Sequence, residues 1–170
     1  MIRSIIWTIV FSIVADLLQS TVITYLIAKI SFLHNTHPDI VLCVLVFSAY
    51  VNGTMTGQVS GFLSGIFTDL CLSQAPPGMS SLIRTLIGAL TGLFKDSLFL
   101  GYVIMPIILC TVATLLKILI MFALHFVIKE IPVISLSDLR LWIELGLNAL
   151  CAPLLFLLLR NFKPMLIGRS

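Results

Sequence analysis

The sequence predicts an all-α integral membrane protein: a single domain over residues 1–170, built as a compact bundle of about six transmembrane helices, one of them short. Three observations carry this. Hydrophobic residues make up 59% of the chain and charged residues only 10%, against about 25% charged in an ordinary soluble domain. Six spans of about 20 residues would use roughly 120 positions, so a chain of 170 residues keeps short loops and no extramembrane domain. Finally, Gly53, Gly57, Gly61 and Gly65 recur at every fourth position, which on a helix makes a nearly straight row without side chains. In water that helix would be poor, since each interior glycine costs about 1 kcal/mol relative to alanine. In lipid such a row lets a neighbouring backbone approach closely, and close packing is what joins helices there.

The first span runs from Ser4 to about Ala28. It follows Arg3 as a signal peptide would, but it carries Asp16 and Gln19 and lacks a small-x-small cleavage site, so it is expected to be retained. After the loop Lys29 to His37, Pro38-Asp39 opens the second span, since proline suits a first turn and an acid suits the positive end of the helix dipole. That span, Ile40 to Val51, has 12 residues and rises only about 18 Å against a hydrocarbon core of about 30 Å; it is re-entrant or shielded by protein. Asn52-Gly53 turns the chain. The third span, Thr54 to Leu72, carries the glycine row, and the other spans are expected to pack around it. Span four is Met79 to Phe94, followed by Lys95-Asp96. Span five, Gly101 to Ile128, contains Pro106 as an expected kink, and span six is Leu139 to Leu159. Placing the N- and C-termini in the cytoplasm puts Arg3, Lys95, Arg160, Lys163 and Arg169 inside and Lys29, Lys129 and Arg140 outside, in keeping with the positive-inside bias. Trp7 and Trp142 read as interfacial anchors.

A charge at mid-bilayer costs about 2.5–3.5 kcal/mol on insertion scales, so each one needs a partner, a wet cavity or a shallow depth. Counting 1.5 Å per residue from the inner ends of spans three and four sets Gly57 level with Gly92 and Gly61 level with Gly88. Gly57, Gly61, Gly65, Gly88 and Gly92 are therefore the expected packing residues. The same count leaves Asp69 about one turn nearer the outside than Arg84 and predicts an Asp69–Arg84 ion pair. Asp39 and Glu144 reach the same outer layer, so Asp39, Asp69, Arg84 and Glu144 form one intramembrane polar cluster. It serves either to fix helix register or to hold a ligand or proton. Asp16 and Lys117, both near mid-depth, form a second expected pair, unless each faces a wet cavity or a partner protein.

Functional chemistry is sparse. The net charge of +3 is scattered and forms no basic tract, which excludes nucleic acid. His34, His37 and Asp39 could be written as a metal site, but no fourth ligand accompanies them; neither a metal nor a cofactor is expected. Cys43, Cys71, Cys110 and Cys151 sit in apolar runs without a CxxC spacing and read as small hydrophobes. No nucleophile with a neighbouring base and no phosphate loop is visible, so the chain is not expected to be an enzyme.

Pro38-Asp39 before an apolar run, the series GQVSGFLSGIFTDLC with Gly57, Gly61, Gly65 and Asp69, then Gly78, and LIRTLIGALTG with Gly88 and Gly92 together resemble the MreD family of bacterial rod shape-determining membrane proteins. The resemblance covers Pro38 to Gly92. It implies a non-enzymatic inner-membrane scaffold of the cell-elongation, peptidoglycan-synthesising machinery that binds MreC and works with MreB and with RodA and its transpeptidase partner, with membrane lipid as the surrounding contact and no small-molecule ligand. It also implies a fold related to the substrate-binding subunits of energy-coupling-factor vitamin transporters. That kinship supplies the rival expectation, a small-solute binding subunit with Asp39, Asp69, Arg84 and Glu144 lining the pocket.

Overall fold

The computed structural model describes residues 2–23, 25, 36–71, 76–95, 103–127 and 138–162. These hold six α-helices and, among the described residues, no strand: α1 (Ile2–Leu18, continued by a π-helical turn, Gln19–Ile23), α2 (Ile40–Asn52), α3 (Thr54–Cys71), α4 (Met79–Leu93), α5 (Ile104–Val127) and α6 (Leu139–Asn161). α1, α5 and α6 are long and apolar enough to cross a membrane, while α2 and α4 are shorter apolar helices. The ends expected at Ala28, Leu72, Gly101 and Ile128, and the loop cations Lys29 and Lys129, lie outside the described residues.

The hub of the bundle is α2, not the glycine-bearing α3. It packs against every other helix, and around it α1 meets α3, α3 meets α4, α4 meets α5 and α5 meets α6. Its sequence, IVLCVLVFSAYVN, is apolar on all sides, the pattern of a helix buried in protein, and Val41 to Ala49 are buried without a break. With 13 residues it is only about 20 Å long. That is tolerable in a membrane because its ends are satisfied by protein instead of meeting lipid. At its far end Gly53 adopts φ 95°, donates its N–H to Ala49 and lets α3 begin at the next residue. Phe47 meets Phe156 of α6 edge-on at 5.0 Å.

α3 is gripped on two faces. Gly57, Gly61 and Gly65 face α4, and a Cβ on any of them would run into α4 backbone, at Gly88, Arg84 and Ser81 respectively. A second row, Thr56, Ser60 and Ser64, is also buried, with Ser60 and Ser64 hydroxyls donating to carbonyls of their own helix. α1 carries a matching row of four-residue spacing, Ser4, Thr8, Ser12 and Asp16, buried throughout, and Thr8 shares a hydrogen bond with Ser48 of α2.

The α3–α4 register differs from the sequence count by one turn. Gly57 meets Gly88, Gly61 meets Arg84, and Gly92 lies against Thr54, so the expected levels Gly57–Gly92 and Gly61–Gly88 do not occur. The reason is that α4 runs past the first residue of α3: Phe94 and Lys95 prolong it as a turn, bonding back to Thr91 and Gly92, and Lys95 reaches the Gly53 corner. Pro106 falls in the first turn of α5, which starts at Ile104, where proline's missing N–H has no helical acceptor to lose. The interior proline is Pro153, in α6.

Candidate functional site

The polar interior gathers around the N-terminus of α2 and divides into three constellations. Asp39 caps α2, its Oδ1 accepting the Leu42 N–H at 3.0 Å, and it is well placed to do so because the first-turn N–H groups of a helix have no internal partner. Its Oδ2 accepts from Lys117 of α5 at 2.7 Å, and the same ammonium donates to Glu144 Oε1 of α6 at 2.7 Å. Asn148, one turn beyond Glu144 and completely buried, accepts the Asp39 N–H at 2.7 Å and donates to Thr114 at 2.9 Å. Gln19 of the π-helical turn accepts the Ile40 N–H at 3.0 Å. Lys117, Asp39, Glu144, Asn148 and Thr114 thus tie α2, α5 and α6 into one unit, with α1 attached through Gln19.

The second constellation joins α1, α3 and α4. Arg84 forks onto Asp16, Nη2 to Oδ1 at 3.3 Å and Nη1 to Oδ2 at 3.4 Å, and also donates to the Ser64 carbonyl at 3.2 Å and to the Thr68 hydroxyl. Thr68 in turn donates to Asp16 Oδ2 at 2.7 Å. The third is Asp69, whose carboxylate accepts three backbone N–H groups at the start of α4: Gly78 at 3.0 Å, Ser80 at 3.1 Å and Ser81 at 3.1 Å. Gly78 sits at φ 92°, the turn that aims these donors at one point. An acid on α3 therefore caps α4, where negative charge is favoured by the dipole.

Both expected ion pairs are thus corrected. Arg84 pairs with Asp16 and not with Asp69. Once the register moves by a turn, Arg84 lies level with Gly61, eight residues or about 12 Å along the axis from Asp69, while Asp16 on α1 lies across from it. Lys117 pairs with Asp39 and Glu144 and not with Asp16, because α1 packs on α2 and α3 whereas α5 packs on α2, α4 and α6. The expected single cluster of Asp39, Asp69, Arg84 and Glu144 is three separate constellations. Arg140 uses its backbone N–H on Asp138, the cap of α6. Sequence reasoning missed Thr68, Thr114 and Asn148, although Thr114–Lys117 and Glu144–Asn148, polar pairs at helical spacing inside apolar runs, are a signal that would have found the last two.

Between the Lys117 and Arg84 constellations lies a cavity of about 150 Å³, lined by Asp39 and Leu42 of α2, Met79, Ser80, Ile83 and Arg84 of α4, and Lys117 and Met121 of α5. His34 lies outside the described residues, and among those described no three His, Cys, Asp or Glu side chains converge on a metal position.

A family model described as rod shape-determining protein MreD matches residues 1–162. No curated protein and no solved structure matches the chain.

Proposed function

The chain belongs to the MreD family of rod shape-determining proteins, and from that premise we propose that it acts as a non-enzymatic scaffold of the cell-elongation machinery in the inner membrane, binding MreC. A role in rod shape determination follows from the family itself. The observation that supports a scaffold is how the interior charges are spent. Asp16, Arg84, Asp39, Lys117 and Glu144 bond one another and Asp69 is taken by backbone N–H groups. These groups hold helices together. The outer faces of α5 and α6 meanwhile carry exposed Leu119, Phe126, Leu150, Leu154 and Leu157, an apolar lateral surface on which a partner's membrane helix packs by shape and small contacts. Six crossings with both termini in the cytoplasm complete the reading, with Lys95 and the basic tail facing MreB and with RodA and its transpeptidase in the wider assembly.

The rival reading, a small-solute binding subunit, draws on the cavity beside Arg84 and Lys117. Its volume of about 150 Å³ falls short of the ≈ 300–1,000 Å³ of ordinary ligand pockets, and of the acids proposed to line it only Asp39 does, so the scaffold is favoured. Purification of the tagged chain from native membranes in mild detergent tests the proposal: MreC is recovered with it in stoichiometric amount. A folded, monodisperse sample without MreC would overturn it.

A further inference from the structure

The cavity between α4 and α5 has a polar wall that the scaffold role leaves without a use. Lys117 spends two of its three ammonium N–H groups, on Asp39 and Glu144, and the Arg84 Nε–H takes part in none of that residue's bonds among the described residues. Lys117, Arg84 and Asp39 at the cap of α2 all line the cavity; Leu42, Met79, Ile83 and Met121 supply an apolar remainder. Glu144 beside it engages through Oε1 alone. The site therefore offers donors to an oxyanion and a carboxylate to a cation within one small space, next to a flexible thioether lining.

Charge balance narrows the occupant. Asp16, Asp39 and Glu144 face Arg84 and Lys117, so the bonded set carries one negative charge in excess. A simple anion would add to that excess in a low-dielectric interior, and a simple cation would have to settle beside two others. A zwitterion adds no net charge and answers both kinds of wall. The seam suits lateral access: α4 and α5 are thinly packed on each other beside the extensive α3–α4 and α5–α6 interfaces, and both helices line the cavity. We propose that this cavity binds the head group of a zwitterionic phospholipid bearing a phosphate and a primary ammonium, its phosphate accepting from Lys117 and Arg84, its ammonium meeting Asp39, and its acyl chains leaving between α4 and α5 into the bilayer.

The test is thermal unfolding of the intact, delipidated chain in detergent micelles doped with phosphatidylethanolamine, with phosphatidylglycerol of the same acyl chains, or with soluble phosphoethanolamine. Phosphatidylethanolamine is expected to raise the midpoint by about 5–10 °C near saturation, phosphatidylglycerol by less than half as much, and soluble phosphoethanolamine only slightly. Equal shifts for the two lipids, or no shift with either, would overturn the proposal, and a full shift from soluble phosphoethanolamine without one from the lipid would overturn the lipid as source. Met121→Trp puts an indole into the cavity and removes no member of the ion pairs; it is expected to elute as wild type and to lose the phosphatidylethanolamine shift. A Met121→Trp protein that folds and keeps the whole shift also contradicts the site. The lipid comparison on wild type stands by itself if that variant does not fold, and neither result depends on MreC recovery.

Discussion

Replacing Gly61 by alanine places one methyl group in the α3–α4 interface, the most extensive helix contact in the bundle. The new Cβ would lie 2.5 Å from the Arg84 carbonyl oxygen, 2.8 Å from its carbon and 3.1 Å from the Thr85 nitrogen. All three are backbone atoms of α4, so no side chain can swing aside. Ordinary contact is about 3.5 Å, so α4 has to retreat by roughly 1 Å, and a gap of that size forfeits about a quarter to a half of the dispersion attraction between the atoms it separates. Overpacking of this kind costs about 1–3 kcal/mol, while alanine's better helix propensity returns about 1 kcal/mol. Gly146→Ala in α6 isolates the second effect, since a Cβ there meets nothing within 4 Å. Gly61→Ala should therefore unfold below Gly146→Ala by about 1–3 kcal/mol, or roughly 2–10 °C in a thermal scan in detergent, and Gly61→Leu should yield little folded protein. Equal midpoints for the two alanine variants would refute the close approach of α3 and α4.

Two other perturbations separate the constellations. Asp69→Asn would be mild if the acid only tuned Arg84, but with three N–H groups converging on the carboxylate the amide must present a donor to donors; a loss of about 1–3 kcal/mol is expected, and a neutral result in chemical unfolding would contradict the capping role. Lys117→Met should cost about 3–5 kcal/mol, since it strands Asp39 and Glu144 together. Glu144→Gln leaves the Lys117–Asp39 pair one to one and should cost less than about 1 kcal/mol; a Glu144→Gln loss equal to that of Lys117→Met would show that the two carboxylates do not share one ammonium.

Much of the fold is legible in the sequence because hydrophobic runs and their breaks fix where helices start and stop. Met79 at the start of α4 and Leu139 at the start of α6 fall where the runs begin, and the glycine row announces its own neighbour. What one dimension leaves out is direction around an axis. Depth along the membrane can be counted, but which helix stands across from Arg84 depends on how α1, α3 and α4 are arranged about α2, and a one-turn error in register, about 5 Å, is enough to hand its guanidinium to the wrong acid. The role of α2 was obscured for a related reason: a short run, uniform on all sides, has no face to read, so its burial against five neighbours shows only in three dimensions. Asp69 was legible as important but not as a cap, because its donors belong to a turn on the next helix.

The interior charges satisfy one another in particular pairs, and the proposal that the lateral faces serve partners rests on that pairing. A double-mutant cycle on Asp16→Ala and Arg84→Ala, run beside one on Asp69→Ala and Arg84→Ala by equilibrium unfolding in detergent, measures this most directly. Coupling of about 1–3 kcal/mol for Asp16 with Arg84, and under about 0.5 kcal/mol for Asp69 with Arg84, is the expected result. The reverse order, or no coupling in either cycle, would contradict it.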